Sequence, residues 1–140
     1  MRLCIKTFYE PPPPTPRTNL TLLQKLRTAY KLWHEFLRHF PKTSRYTLGA
    51  KIDGLFVETL EQIVIASFLE RSEKLPFVKK AVVKLDVLKF FIETAWEIHS
   101  LEQKHYILLS EPLHEGGKML GGWRNQLVKQ TPPQQNAGKK

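Results

Sequence analysis

The sequence predicts an all-α protein, an antiparallel up-down-up-down four-helix bundle, on three observations. Apolar residues recur at spacings of three and four through most of the chain, the period of a helix with one buried face. Prolines and short polar breaks divide that pattern into four long segments. The last of these places Tyr106, Leu109, Leu113, Gly116, Leu120, Trp123 and Leu127 on a single stripe, which needs partner helices to cover it. With 140 residues, one domain is expected.

Residues 1–18 form a leader containing Pro11-Pro12-Pro13-Pro14-Thr15-Pro16. Proline lacks a backbone donor and fixes φ, so this stretch reads as an extended, polyproline-type linker. Pro13 and Pro16 also make a P-x-x-P spacing, a proline-ligand pattern that the linker reading outweighs. Asn19 is a good N-cap, and Leu20 to Phe40 is the first helix. Leu22, Leu26, Ala29, Trp33, Phe36 and Phe40 turn inward on it, and Pro41 ends it.

A second helix starts at Thr43, Ser44 or Thr47 and runs to about Arg71, with Leu48, Ile52, Leu55, Phe56, Thr59, Ile63 and Ala66 inward. Asp53, Glu58 and Glu61 make it the acidic partner of the first. The short break Ser72-Glu73-Lys74-Leu75-Pro76 returns the third helix antiparallel, over about Leu75 to His99. This helix has two apolar stripes. Val78, Val82, Leu85, Ile92 and Ala95 form one, and Val83, Val87 and Phe90 the other. A helix of a lone bundle needs only one covered sector, so the second stripe is expected to meet another subunit. Ser100 caps the fourth helix, which Pro112 is expected to kink or break near Glu111. The bundle thus spans residues 19–128, and the tail, 129–140, reads as disordered and basic.

The net charge is +9 and alternates by segment: +5 over residues 20–45, −3 over 46–70, +4 over 71–92, −4 over 93–115 and +2 over 116–128. Complementary faces and separate basic surfaces suited to polyanions follow from such alternation. Arg27, Lys31, His34 and Arg38 align on the outer face of the first helix. With Lys42 and Arg45 they make the first-choice contact surface for nucleic acid or a polymerase. Lys79, Lys80, Lys84 and Lys89 make the second.

Composition excludes several classes. No run of about 18 uncharged apolar residues exists, so no membrane span is expected. Met1 to Lys6 is too short and too soon charged for a secretory signal. Cys4, the single cysteine, allows no internal disulfide and fits a reducing cytoplasm. The pairs Glu102/His105 and Glu111/His114 have the Glu-x-x-His spacing of di-iron bundles, but such sites draw the pairs from two helices. His34 and His39 are five apart, a poor spacing for shared ligation on a helix. The glycine pairs match no phosphate loop. No catalytic constellation, metal or cofactor is expected.

Two segments carry a family resemblance. Phe40-Pro-Lys-Thr-Ser-Arg-Tyr-Thr-Leu-Gly49 resembles the first junction of two related four-helix-bundle groups. These are the ribosomal-RNA intervening-sequence proteins and the accessory variability proteins of diversity-generating retroelements. Gly117-Lys-Met-Leu-Gly-Gly-Trp123 is similar to the second group only. The first group's Ser-Ile-Pro-x-Asn-Ile-Ala-Glu-Gly type signature is replaced here by Thr59-Leu-Glu-Gln-Ile-Val-Ile-Ala-Ser-Phe. The resemblance implies a homopentameric barrel that binds a reverse transcriptase and the template RNA or its DNA copy. It implies an accessory to mutagenic reverse transcription, without catalysis of its own. The alternative is a stand-alone RNA-binding or adaptor bundle of the intervening-sequence type. Val83, Val87, Phe90, Gly121 and Gly122 are the expected oligomer contacts, the glycines because they lie outward where a second chain could approach closely.

Overall fold

The computed structural model describes residues 17–130, with side chains from Thr21 onward. Its regular elements are all helices: α1 (Arg17–Leu37), α2 (Lys42–Arg45), α3 (Leu48–Phe68), α4 (Arg71–Glu97) and α5 (Gln103–Gln130). The proline run with its P-x-x-P spacing, Cys4, and the expected disordered tail beyond Gln130 lie outside the described residues. α1 packs between α3 and α5, and α4 also packs between α3 and α5. The outer faces of α1 and α4 therefore point to opposite sides of the molecule. Along every seam, residue numbers rise on one helix as they fall on its neighbour. Tyr30 meets Phe56 while Trp33 meets Asp53, and Leu22 and Leu26 lie over Gly116 while Phe36 stacks on His105.

The core is one apolar cluster drawn from all four long helices. Leu22, Leu26, Trp33, Phe56, Ile63, Leu85, Leu88, Leu109 and Leu120 are among its fully buried side chains. The expected inward residues of α1 and α3 are buried, Leu48 only in part. On α5 six of the seven stripe residues are buried and Tyr106 is half-buried, stacked on Trp96 at 4.9 Å.

Several boundaries differ from the sequence expectation. The second helix is split: α2 is a single turn, and α3 begins only at Leu48. The break before the third falls at Leu69 and Glu70, so Pro76 lies inside α4. There it occupies the sixth position, past the four amides that lack helical partners, and forfeits one bond, to the carbonyl of exposed Ser72. On α4 the core face takes Ala81 and Leu88, while Val82 is only half-buried.

Ser100 does not cap a helix, because α5 starts at Gln103. Instead α4 closes with His99 at φ 67°. The Ser100 amide donates to the Ala95 carbonyl at 2.9 Å and the His99 amide to that of Trp96 at 3.0 Å, the Schellman pattern with a histidine where glycine is usual. Pro112 does not break α5 either, which runs unbroken through it. Leu109 and Leu113, on either side, are both buried in the core. Tertiary packing of the two halves outweighs the local cost of roughly 3 kcal/mol.

The segment from Phe40 to Gly49 is a structural corner. Phe40 is buried. The Arg45 guanidinium donates from Nη2 to the carbonyls of Phe40 at 2.9 Å and Arg38 at 3.3 Å, closing the end of α1. Ser44 and Ser100 share a buried hydroxyl–hydroxyl bond of 2.7 Å that ties this corner to the α4–α5 turn. A Cβ at Gly49 would lie 2.9 Å from Leu37 Cδ1 and 3.4 Å from the Ser44 carbonyl, so a larger residue there would have to push the Leu37 side chain aside.

Candidate nucleic-acid interface

Arg27, Lys31, His34 and Arg38 are exposed along the outer face of α1, and Lys42 is exposed on α2. Arg38 reaches Glu35 at 3.3 Å, an exposed pair that holds it only weakly. Arg45 is different: two backbone carbonyls occupy its Nη2, and its Nε is buried without a partner. It belongs to the corner more than to the basic row. Asp53 turns toward α1, accepting from Trp33 Nε1 at 3.1 Å. Burial first, and then this carboxylate, raise the pKa of Tyr30.

Lys79, Lys80 and Lys84 stand on α4, on the side of the molecule away from α1. Here the structure assembles something the linear pattern did not show. A groove of about 610 Å³ runs between α3 and α4, lined by Gln62, Lys79, Lys80, Val83 and Lys84. Lys84 Nζ is held by Glu58 at 3.0 Å, so this acidic residue of α3 serves α4, not α1. Lys80 Nζ lies 5.4 Å from the Phe77 ring centre. Gln62 Oε1 is buried and has no hydrogen-bond partner. Val83, 61% exposed, sits among the lysines. Lys89 is apart from them, facing α5 beside Gly117 and 3.9 Å from Asp86.

Of the expected oligomer contacts, Phe90 is as exposed as Val83 but lines a second groove, between α4 and α5, with Tyr106 and His114. Val87 is half-buried and packs against the core, so the second stripe of α4 is narrower than the spacing implied. A Cβ at Gly121 or Gly122 would meet nothing within 4 Å. Gly122 is exposed and Gly121 half-buried.

The Glu-x-x-His pairs do not converge. His105 lies flat on Phe36, centroids 3.9 Å apart, with His39 6.0 Å away. Burial lowers its pKa against the pull of Glu102, with Lys104 and His39 lowering it further. His114 is exposed beside the α4–α5 groove. Among the described residues no three His, Cys, Asp or Glu side chains gather to hold a metal ion. No described helix is long and apolar enough to cross a membrane.

The family model described as bAvd-like matches residues 20–127, which takes in α1 almost whole and everything to the last turns of α5. The chain belongs to the bAvd-like family. Membership brings an accessory, non-catalytic role in diversity-generating retroelements and association with their machinery. No curated protein matches the chain. Within the bAvd-like frame, both resemblance segments turn out to serve the fold. Phe40 to Gly49 builds the corner, Leu120 and Trp123 are buried in the core, and at Gly121 and Gly122 an added Cβ would meet nothing within 4 Å.

Proposed function

We propose that the protein is a non-catalytic accessory of a diversity-generating retroelement. It binds the reverse transcriptase and the template RNA or its DNA copy through basic surfaces, and so supports mutagenic reverse transcription in the cytoplasm. The bAvd-like match over residues 20–127 carries this reading. The placement of the cations supports it: α1 and α4 present basic residues on opposite sides, with the net-acidic α3 packed between them. Two opposed basic faces let one molecule hold polymerase and nucleic acid together. The stand-alone adaptor of the intervening-sequence type lacks the polymerase partner, and co-purification with the neighbouring reverse transcriptase separates the two readings.

The experiment on the α1 face is a triple replacement of Arg27, Lys31 and Arg38 by Glu. All three are exposed, so the fold is expected to survive. Polyanion binding should weaken and its log–log salt dependence flatten, each lost phosphate contact removing about 0.7–0.9 from the slope. An unchanged slope removes this face from nucleic-acid contact and leaves it to the polymerase.

The assembly we propose is a homopentamer of up-down-up-down four-helix bundles. Exposed Phe90 and the open space at Gly121 and Gly122 support it, since an outward glycine in a helix costs up to ~1 kcal/mol with no return inside one chain. Phe90→Glu should keep full helicity by circular dichroism while lowering the mass seen by light scattering. A wild-type protein that is monomeric at micromolar concentration defeats the proposal.

A further inference from the structure

We infer that the α3–α4 groove is a slot for an unstacked base of a single-stranded nucleic acid, with the strand's phosphates on Lys79, Lys80 and Lys84. The inference rests on the nucleic-acid reading above and assigns it a place and a strand form.

Three features of the groove support it. The first is its shape. At about 610 Å³ it has the volume of a small-ligand site, but as an open surface groove and not an enclosing pocket. A row of cations on a convex helix offers nothing comparable. Stacked bases of a duplex cannot enter such a groove, whereas a splayed base of a single strand can.

The second is the combination of floor and rim. Val83 and the methylenes of the lysines provide apolar area for a base face, and the ammonium groups flank it within five residues of α4, about 7.5 Å of helix rise. Lys80 is already placed over Phe77, so less of its side-chain freedom is lost on binding. Lys84 is in an exposed, weak pair with Glu58 that an incoming phosphate displaces. Lys79 is exposed and carries no such tie.

The third is an unmet acceptor. Gln62 lines the groove, and its side-chain oxygen is buried with no partner. A buried acceptor left unpaired is costly. Because the oxygen is covered, it accepts from a base's exocyclic amino group or ring N–H only once the half-buried Gln62 side chain turns out into the groove. No apolar peptide or simple phosphate would answer all three features together.

The test measures fluorescence anisotropy of the full chain with labelled strands of one sequence: single-stranded RNA, single-stranded DNA, a duplex, and a single strand carrying abasic sites. Single strands should bind more tightly than the duplex. Abasic strands should bind about tenfold more weakly, within the range that loss of one base contact produces. Lys79→Glu with Lys80→Glu should flatten the salt slope by about 1.4. Val83→Trp, which fills the slot without changing charge, should abolish the difference between normal and abasic strands and leave the slope as it was. Equal affinity for normal and abasic strands, or a slope indifferent to the two lysines, overturns the slot while nucleic-acid binding itself stands. Failure of the wild type to bind any strand defeats the broader functional reading instead. Circular dichroism of each variant checks that these exposed positions have not disturbed the fold.

Discussion

Trp33→Ala should cost about 3–5 kcal/mol of folding stability, the usual range for deleting a large buried aromatic, and lower the urea midpoint accordingly. Trp33 is fully buried and makes three ties, one to the corner after α1 and two to α3. Its ring meets Phe40 edge-on at 5.2 Å and stacks against Phe56 at 6.1 Å. Its indole N–H donates to Asp53 at 3.1 Å. Removing the ring leaves both a cavity and a carboxylate that has lost the indole donor and keeps Tyr30 beside it. Trp33→Phe separates the two losses, because it keeps most of the aromatic volume and gives up only the hydrogen bond. Its cost should be nearer 1–2 kcal/mol. Equal costs for the two variants, read from denaturant unfolding followed by circular dichroism, would show that the bond and not the volume holds the seam.

The second large effect is expected at Gly116, where α5 crosses α1. A Cβ there would lie 2.7 Å from Leu26 Cδ2 and 3.2 Å from its Cγ, and Leu26 is itself buried in the core. Gly116→Leu should therefore destabilise by about 3 kcal/mol, the upper part of the overpacking range. Gly116→Ala sets a clash against a propensity gain of up to ~1 kcal/mol, and so should cost far less. The decisive measurement is the double variant with Leu26→Ala, which opens the space that the new leucine needs. It should be less destabilised than the two single losses added together, with a coupling of about 0.5–3 kcal/mol. Simple additivity would mean that the two residues do not share the space that the geometry assigns them.

Much of this architecture was legible in the sequence, for a definite reason. The stripes on α1, α3 and α5 recur at helical spacing, and burial follows that spacing because each helix has one face against the cluster. Gly116 and Trp123 on the inside and Gly122 on the outside follow from the same periodicity. The expected break at Pro112 and the placing of Pro76 before the third helix both missed, because proline effects depend on what surrounds them. Pro112 is held by a core that grips Leu109 and Leu113, and Pro76 lies near enough to a helix start to be tolerated. The α4–α5 turn was misread because nothing in the order of residues shows that His99 will adopt a left-handed conformation and free the Ser100 hydroxyl for Ser44.

The candidate surfaces were readable only in part. One-sided clustering located the exposed cations of α1, and no tertiary information was needed for that. Arg45 looked the same in the sequence, yet its guanidinium is occupied by carbonyls of the corner. Val83 read as a partner of Phe90, being seven residues from it on one face of α4. Only the approach of α3, bringing Gln62 and Glu58, places Val83 in a different groove. Properties of one helix face could be inferred from spacing, whereas properties of the space between two helices could not.

The hydroxyl bond between Ser44 and Ser100 also bears on how the molecule moves. It fastens both connections at one end of the helices to each other, in a place where Phe40 and Leu101 are also buried. The other end has a slighter tie, Lys74 Nζ on the Ala66 carbonyl at 2.6 Å, and leaves Phe68 84% exposed. Breathing of the helices is thus directional, because local opening begins where buried contacts and ties are fewest. The serine end acts as a clasp, since parting it breaks a buried bond and uncovers Phe40 and Leu101, whereas among the described residues the Phe68 end shows no buried side-chain bond of that kind. Lys79 and Lys80 stand in the part of α4 away from that clasp.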